Sequence, residues 1–246
     1  TYVTNNKTMI RNAINDAFFG LDNGSLPTVK TYYETLSSNK ITISGSVTEW
    51  YNSGFSSQQV GTGAISETKI LSSIGSTYAS SLPSFDGDSD GYVDAVVMVY
   101  GALNVTNGTN RGVAGYNLLN NLWAFTSWTQ AHRGTSSNPR INSYMFMSYD
   151  FLFSSSNNTV FGYGDTTNCN FDTHVAIHET GHLFGITDYY SYEDVSSGQT
   201  GEKPAGSTTM QDVNVCSHDP YSVLALNWAK PKLITEPVTI DLKPFQ

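Results

Sequence analysis

Two imidazoles four residues apart, with a carboxylate beside the first, form the most reactive pattern in this chain: His178-Glu179-Thr180-Gly181-His182-Leu183-Phe184-Gly185-Ile186-Thr187-Asp188. On a helix, positions four apart share a face, so His178 and His182 can aim ring nitrogens at one Zn²⁺. Glu179 is rotated off that face but stays beside it, placed to take a proton from an attacking water rather than to bind metal. If the helix ran on, Asp188 would lie about 9 Å past His182 along the axis, on another face. Gly185 removes that obstacle, because glycine takes the left-handed conformation that ends a helix and folds the chain back. Asp188 is therefore the expected third ligand, with Glu193 and Glu202 as competing carboxylates. Glu202 sits about where a thermolysin-like zincin would carry a ligand on a second helix, but Gly201 and Pro204 make its surroundings a turn and a poor helix interior. Glu193 has no glycine just before it to steer it inward.

A second acidic pattern is Asp86-Gly87-Asp88-Ser89-Asp90-Gly91-Tyr92-Val93-Asp94. Carboxylates at alternate positions with a glycine for the sharp turn are the pattern of a Ca²⁺-coordinating loop, with Asp86, Asp88, Asp90 and Asp94 as ligands. The twelfth position, where an EF-hand places glutamate, is Val97, so this is no complete EF-hand. Two readings stay open: a calcium loop completed by other ligands, or an acidic turn whose Asp side chains cap their own backbone.

The elements that must position these residues fit one sizeable core, and no linker divides the 246 residues, so a single domain is expected over 1–246. Met9, Ile10, Ala13, Ile14, Ala17 and Phe18 recur at helical spacing before Gly20, and a second helix starts near Ser25 and Pro27 with Val29, Tyr32, Tyr33 and Leu36. Ile41 to Val47 alternates as a strand, and Ile70, Leu71, Ile74 and Tyr78 mark a third helix. Ala95 to Tyr100 reads as a buried central strand, paired with Leu122-Trp123-Ala124-Phe125. Arg140 to Phe153 is a more irregular strand region with Tyr144, Phe146 and Ser148 on one face. It is either the exposed edge on which an extended substrate would pair or an ordinary half-buried strand. The metal helix should start near Asp172 or Thr173 and end at Gly185. Asp219-Pro220 starts a last helix with Tyr221, Leu224, Ala225 and Trp228 on its apolar face, Ser196 to Gly206 is a surface loop, and Val238 to Leu242 alternates as a last strand, possible start of a further domain.

Charge narrows the partners. Lys plus Arg number 12 against 21 Asp plus Glu, a net charge of −9 without a basic cluster, which argues against nucleic acid and anionic membrane surfaces. No apolar run is long enough for a membrane span, and Thr1 to Lys7 does not read as a signal peptide. Only 13% of residues are charged, while Ser, Thr, Asn, Gly and Tyr abound, a composition that suits a secreted or cell-surface protein. Cys169 and Cys216 flank the metal motif; a disulfide between them and two free thiols are both open.

Taken together these residues resemble the immune-inhibitor-A-like family of secreted bacterial metallopeptidases, of the metzincin-type zincins. The resemblance rests on Tyr32-Tyr33-Glu34 and Ile41 to Val47, on Asp90 to Asp94, on His178 to Tyr190, and on Met210 with His218-Asp219-Pro220-Tyr221-Ser222. It implies zinc-dependent endopeptidase activity, His178, His182 and Asp188 as ligands, Glu179 as base, and Met210 in the turn beneath the metal. The chain departs from the family's usual pattern at Trp123 to Trp128, where a polar, His-containing stretch is common, and at Val223, where a basic residue is common. Specificity is therefore not carried over.

The fold class expected is α/β, of the α+β zincin type: a twisted mixed sheet packed against helices. The expected activity is hydrolysis of internal peptide bonds of extracellular proteins. Tyr221 is a candidate hydrogen-bond donor to the oxyanion, or else a packing residue on its helix. The rival reading is a zinc-bearing adhesin that binds a protein without cutting it; Glu179 argues against it, because a closed structural zinc has no use for a base.

Overall fold

The computed structural model describes residues 2–21, 27–61, 63–102, 122–154, 170–191 and 205–241. Its first elements are helices: α1 (Tyr2–Asn5), α2 (Lys7–Phe19) and α3 (Val29–Leu36). Helix α2 buries Ile10, Ile14, Ala17 and Phe18, one stripe at helical spacing. Helix α3 is capped by Thr28, next to Pro27, where Thr28 Oγ1 accepts the Thr31 N–H at 3.1 Å while Thr31 Oγ1 accepts the Thr28 N–H at 3.0 Å; Ser25 lies outside the described residues. This reciprocal cap satisfies two otherwise orphaned donors. Helices α4 (Ser57–Gly61) and α5 (Glu67–Thr77) follow.

The strands are β1 (Tyr92–Val93), β2 (Val96–Tyr100), β3 (Phe125–Trp128), β4 (Arg140–Ile141), β5 (Ser143–Ser148), β6 (Phe153–Ser154) and β7 (Asn170–Phe171). The sheet that matters for the site has the order β2-β5-β3, with β2 parallel and β3 antiparallel to β5. One face carries Met145 and Met147 into a core with α2, α3 and the metal helix; the other carries Tyr144 and Phe146 into a core with Val60, Ile70 and Leu71. The architecture is thus mixed α/β, with helices on both sides of a small sheet.

This order corrects two expectations. Among the described residues strand β2 is an edge, and its mate is β5, not the segment 122–125. Its unbroken apolar run arises because Val97 and Val99 pack on one core and Val96 and Met98 on the other; burial of both faces does not require a central position. Of the two readings left open for the segment that holds β5, the exposed edge is the one that fails: β5 is the middle strand with both sides paired. Among the described residues, the edge on the side opposite β2 belongs to β3.

Three further expectations differ. Residues 41–47 form no strand: Ile43 N–H donates to Glu34 Oε1, and the Lys30 and Arg11 side chains bind the carbonyls of Ile43 and Val47. Side chains satisfy this backbone in place of a neighbouring strand. Residues 238–241 are likewise unpaired, with Val238 and Ile240 exposed, and Leu242 lies outside the described residues. The helix after Asp219 is short, and of its expected apolar face Tyr221, Leu224 and Ala225 are exposed while Trp228, just past its end, is buried in the core; Ser222, Val223 and Leu226 also face inward. The loop 196–206 lies outside the described residues up to 204, as do Glu193, Glu202 and Cys169, so the cysteine pairing does too; Cys216 is exposed. No helix among the described residues is long and apolar enough to cross a membrane.

Candidate metal centre

The motif helix α6 spans His174–Leu183 and packs on the β5 and β3 side of the sheet. Asp172 Oδ1 accepts the His174 N–H at 3.2 Å at its start. Its end is a left-handed cap: Gly185, with φ +84°, donates its N–H to His182 O at 2.8 Å, and Ile186 donates to Gly181 O at 3.1 Å. These two bonds define a Schellman motif, which stops the helix and reverses the chain. Tyr189 N–H then donates to Gln211 O at 2.9 Å and ties the returning segment to α7 (Met210–Val213).

The reversal brings Asp188 back over the helix. Its Oδ1 lies 3.0 Å from His178 Nε2 and 3.4 Å from His182 Nε2, and the two Nε2 atoms are 3.1 Å apart. The carboxylate side chain is only 5% exposed. Both rings have defined tautomers, since His178 Nδ1–H donates to Met210 O at 2.9 Å and His182 Nδ1–H to Ile186 O at 2.7 Å. A carbonyl can only accept, so each Nδ1 carries the proton and each Nε2 of a neutral ring presents a lone pair. Two nitrogen lone pairs and a carboxylate oxygen therefore converge on one point in a buried place. That arrangement repels itself unless a cation or proton sits between, and two imidazoles with one carboxylate are a donor set for Zn²⁺. Without metal, burial disfavours a charged His182, yet the bonds to Asp188 and to the Ile186 carbonyl outweigh it and raise its pKa. A proton competes for the same point.

Glu179 is buried on the same helix, and its Oε2 accepts no hydrogen bond from any described residue. Desolvation raises its pKa, opposed by the neighbouring His178 and His182 and by a hydrogen bond from the Thr126 side chain. A largely buried carboxylate with one oxygen unpartnered among the described residues is suited to accepting a proton. Its backbone is held from the sheet: Thr126 Oγ1 donates to Glu179 O at 2.8 Å. On β3, Thr129 N–H donates inward to Asn142 O at 2.8 Å. Alternation along an antiparallel pair then points the backbone groups of Phe125 and Ser127 at β5, and those of Thr126 and Trp128 at the open edge.

The acidic loop is more dispersed than its sequence. Ligand atoms of Asp86, Asp88 and Asp94 lie within 4.8 Å of one another, and Asp90 is not in the group. Asp86 is buried and spends both oxygens on backbone, accepting Asp90 N–H at 2.9 Å and Gly91 N–H at 3.0 Å; Asp90 accepts Tyr92 N–H at 2.8 Å. Desolvation, opposed by the Gly87 N–H and helped by the three neighbouring aspartates, raises the pKa of Asp94. Tyr221 is 76% exposed on the first turn of α8 (Pro220–Ala225), so it does not pack on its helix. Next to it, Tyr189 OH, Ser222 Oγ and Asp219 form a hydrogen-bonded chain with steps of 2.7 and 2.6 Å.

The contacts of several supporting residues could not be read from local spacing, even where, as with Tyr33 and His218, the residue lies in a stretch that carries the family resemblance. Thr126 is an ordinary strand residue, and Tyr33 an ordinary helix one. Buried His218 lies between Tyr33, 2.9 Å from its hydroxyl, and Gly181, where an added Cβ would come within 2.9 Å of the His218 ring and 2.8 Å of Gln211 Oε1. Gly181 is thus the residue that lets the His218 and Gln211 side chains close under the metal helix.

Fold and site together define a mixed α/β protein with a buried histidine–carboxylate centre and a second buried carboxylate, Glu179, on the same helix. Residues 9–72 match the catalytic domain of the immune inhibitor A peptidase M6 family, which supports the family resemblance from a stretch of chain separate from the metal motif. A search of curated proteins finds no match.

Proposed function

We propose that this protein is a secreted zinc-dependent endopeptidase. The observation that carries the reading is the convergence of His178 Nε2, His182 Nε2 and Asp188 Oδ1 beside the buried Glu179 carboxylate. When bound, Zn²⁺ supplies a Lewis acid that polarises the scissile carbonyl and lowers the pKa of water. Glu179 accepts the proton of the attacking water and delivers it to the departing amine, and its desolvated carboxylate has a raised pKa suited to both steps. An extended peptide pairs with the outward backbone groups of Thr126 and Trp128 on β3, and Thr126 aligns that edge with the base through Glu179 O. Tyr221, exposed and beside the Tyr189 chain, is the donor assigned to the oxyanion. The composition supports action outside the cell on protein substrates.

Casein digestion by zinc-loaded protein, with and without a chelator, tests this. Cleavage that stops with chelator and returns with added Zn²⁺ is expected. A folded, zinc-loaded protein that leaves casein intact would instead be the non-catalytic adhesin.

A further inference from the structure

We infer that Trp128 is the specificity wall of the β3 edge and selects peptides with a large apolar or aromatic side chain. This deepens the peptidase reading and rests on it. Cross-strand partners share a face, so the pairs Thr126 with Met145 and Trp128 with Ser143 put both Thr126 and Trp128 on the face where α6 packs. Phe125 and Ser127 face the other way, against Phe146 and Tyr144. Thr126 bonds the backbone of the base, and Trp128 stands two residues along the strand from it, about 7 Å further.

The indole is 43% exposed although it lies on the face of the sheet where α6 packs. Its cross-strand neighbour there is Ser143, too small to cover it and turned to donate its hydroxyl to Asp94 O at 2.9 Å. Trp123, the other exposed tryptophan, precedes the strand and leans edge-on against Phe151 at 5.7 Å. Among the described residues, Trp128 alone joins an open apolar ring to backbone groups aimed at that edge. A peptide residue paired opposite Trp128 projects its side chain to the same face, two positions from the residue opposite Thr126, and lies against the indole. A bulky apolar group there buries surface that alanine leaves wet.

The test uses two fluorescein-labelled extended Ser/Ala peptides, one with a single central Phe and one with Ala in its place. Their binding to zinc-loaded Glu179→Gln protein is followed by anisotropy, and their cleavage by active protein by mass spectrometry. The Phe peptide should bind about tenfold tighter and be cut about tenfold more efficiently. Trp128→Ala should erase both preferences, and Trp128→Phe should keep most of each. An unchanged melting temperature of Trp128→Ala would show that the strand end survives, as its exposure leads one to expect. A Phe preference that persists in Trp128→Ala, or no preference in the parent, overturns the inference while leaving the peptidase reading intact. Trp128-dependent binding without cleavage by the active protein supports the wall and overturns the peptidase reading.

Discussion

Tyr33 donates its hydroxyl hydrogen to the Ile177 carbonyl at 2.6 Å, joining α3 to the turn of α6 that carries the first histidine. The bond spans 144 positions of chain and is fully buried. It also links the stretch matched by the peptidase family, which includes Tyr33, to the metal helix, which lies outside the match. With the hydroxyl committed to Ile177, His218 Nε2–H donates to the Tyr33 oxygen at 2.9 Å. Tyr33→Phe should therefore strand a buried imidazole donor and cost about 1–3 kcal/mol. Urea unfolding of the metal-free protein measures it, and a loss too small to resolve would show the contact to be incidental.

Glu179→Gln should keep zinc and lose turnover by about 10²–10⁴-fold, because the amide keeps the shape and cannot accept the proton. Metal analysis and a peptide-cleavage assay are read together. Near-normal cleavage by the zinc-loaded variant would remove Glu179 from the role of base.

Asp188→Ala should lose zinc and activity together, since it removes one of the three converging donors. Glu193→Ala and Glu202→Ala should keep both. Should Glu202→Ala be the variant that sheds the metal, the ligand set is thermolysin-like and Asp188 must be reassigned.

Added Ca²⁺ should raise the melting temperature of zinc-loaded, calcium-stripped protein if Asp86, Asp88 and Asp94 hold the ion, because a ligand bound only by the folded state stabilises it. The rise is expected to vanish in Asp88→Asn, which removes the charge of one of the group's two exposed carboxylates. No response would make the loop a self-capped acidic turn, as the backbone bonds of Asp86 and Asp90 would suffice to shape it.

Burial lowers the pKa of His218 to about 4, with the nearby His178 and His182 acting in the same direction and Asp219 against it. The unfolded chain, with an ordinary imidazole near pH 6.5, then binds more protons than the folded one as pH falls between those values. Stability from this residue is full above about pH 6.5 and falls by on the order of 3 kcal/mol by about pH 4. Denaturant titrations in EDTA at several pH values should show a steeper acid loss in the parent than in His218→Asn. Parallel pH profiles would assign the acid sensitivity elsewhere.

Much of the candidate site was legible in the chain because its determinants are local. The four-residue spacing of His178 and His182, the cap at Gly185 and the cap at Asp219 each depend on residues within one or two helical turns, and such interactions form wherever the sequence allows them. Strand order did not follow from the sequence. An apolar run such as Val96–Tyr100 records that two faces are covered, and cannot say whether a neighbour lies on one side or both; the alternation at Ile41–Val47 cannot say whether any strand is there to pair with. Only the tertiary structure decided that, among the described strands, β5 is central and β3 an edge, that Thr126 reaches Glu179, and that Tyr33 and His218 close beneath the helix. These contacts join residues 53 to 185 positions apart, so their partners are chosen by packing of the whole chain and leave no periodic trace in it.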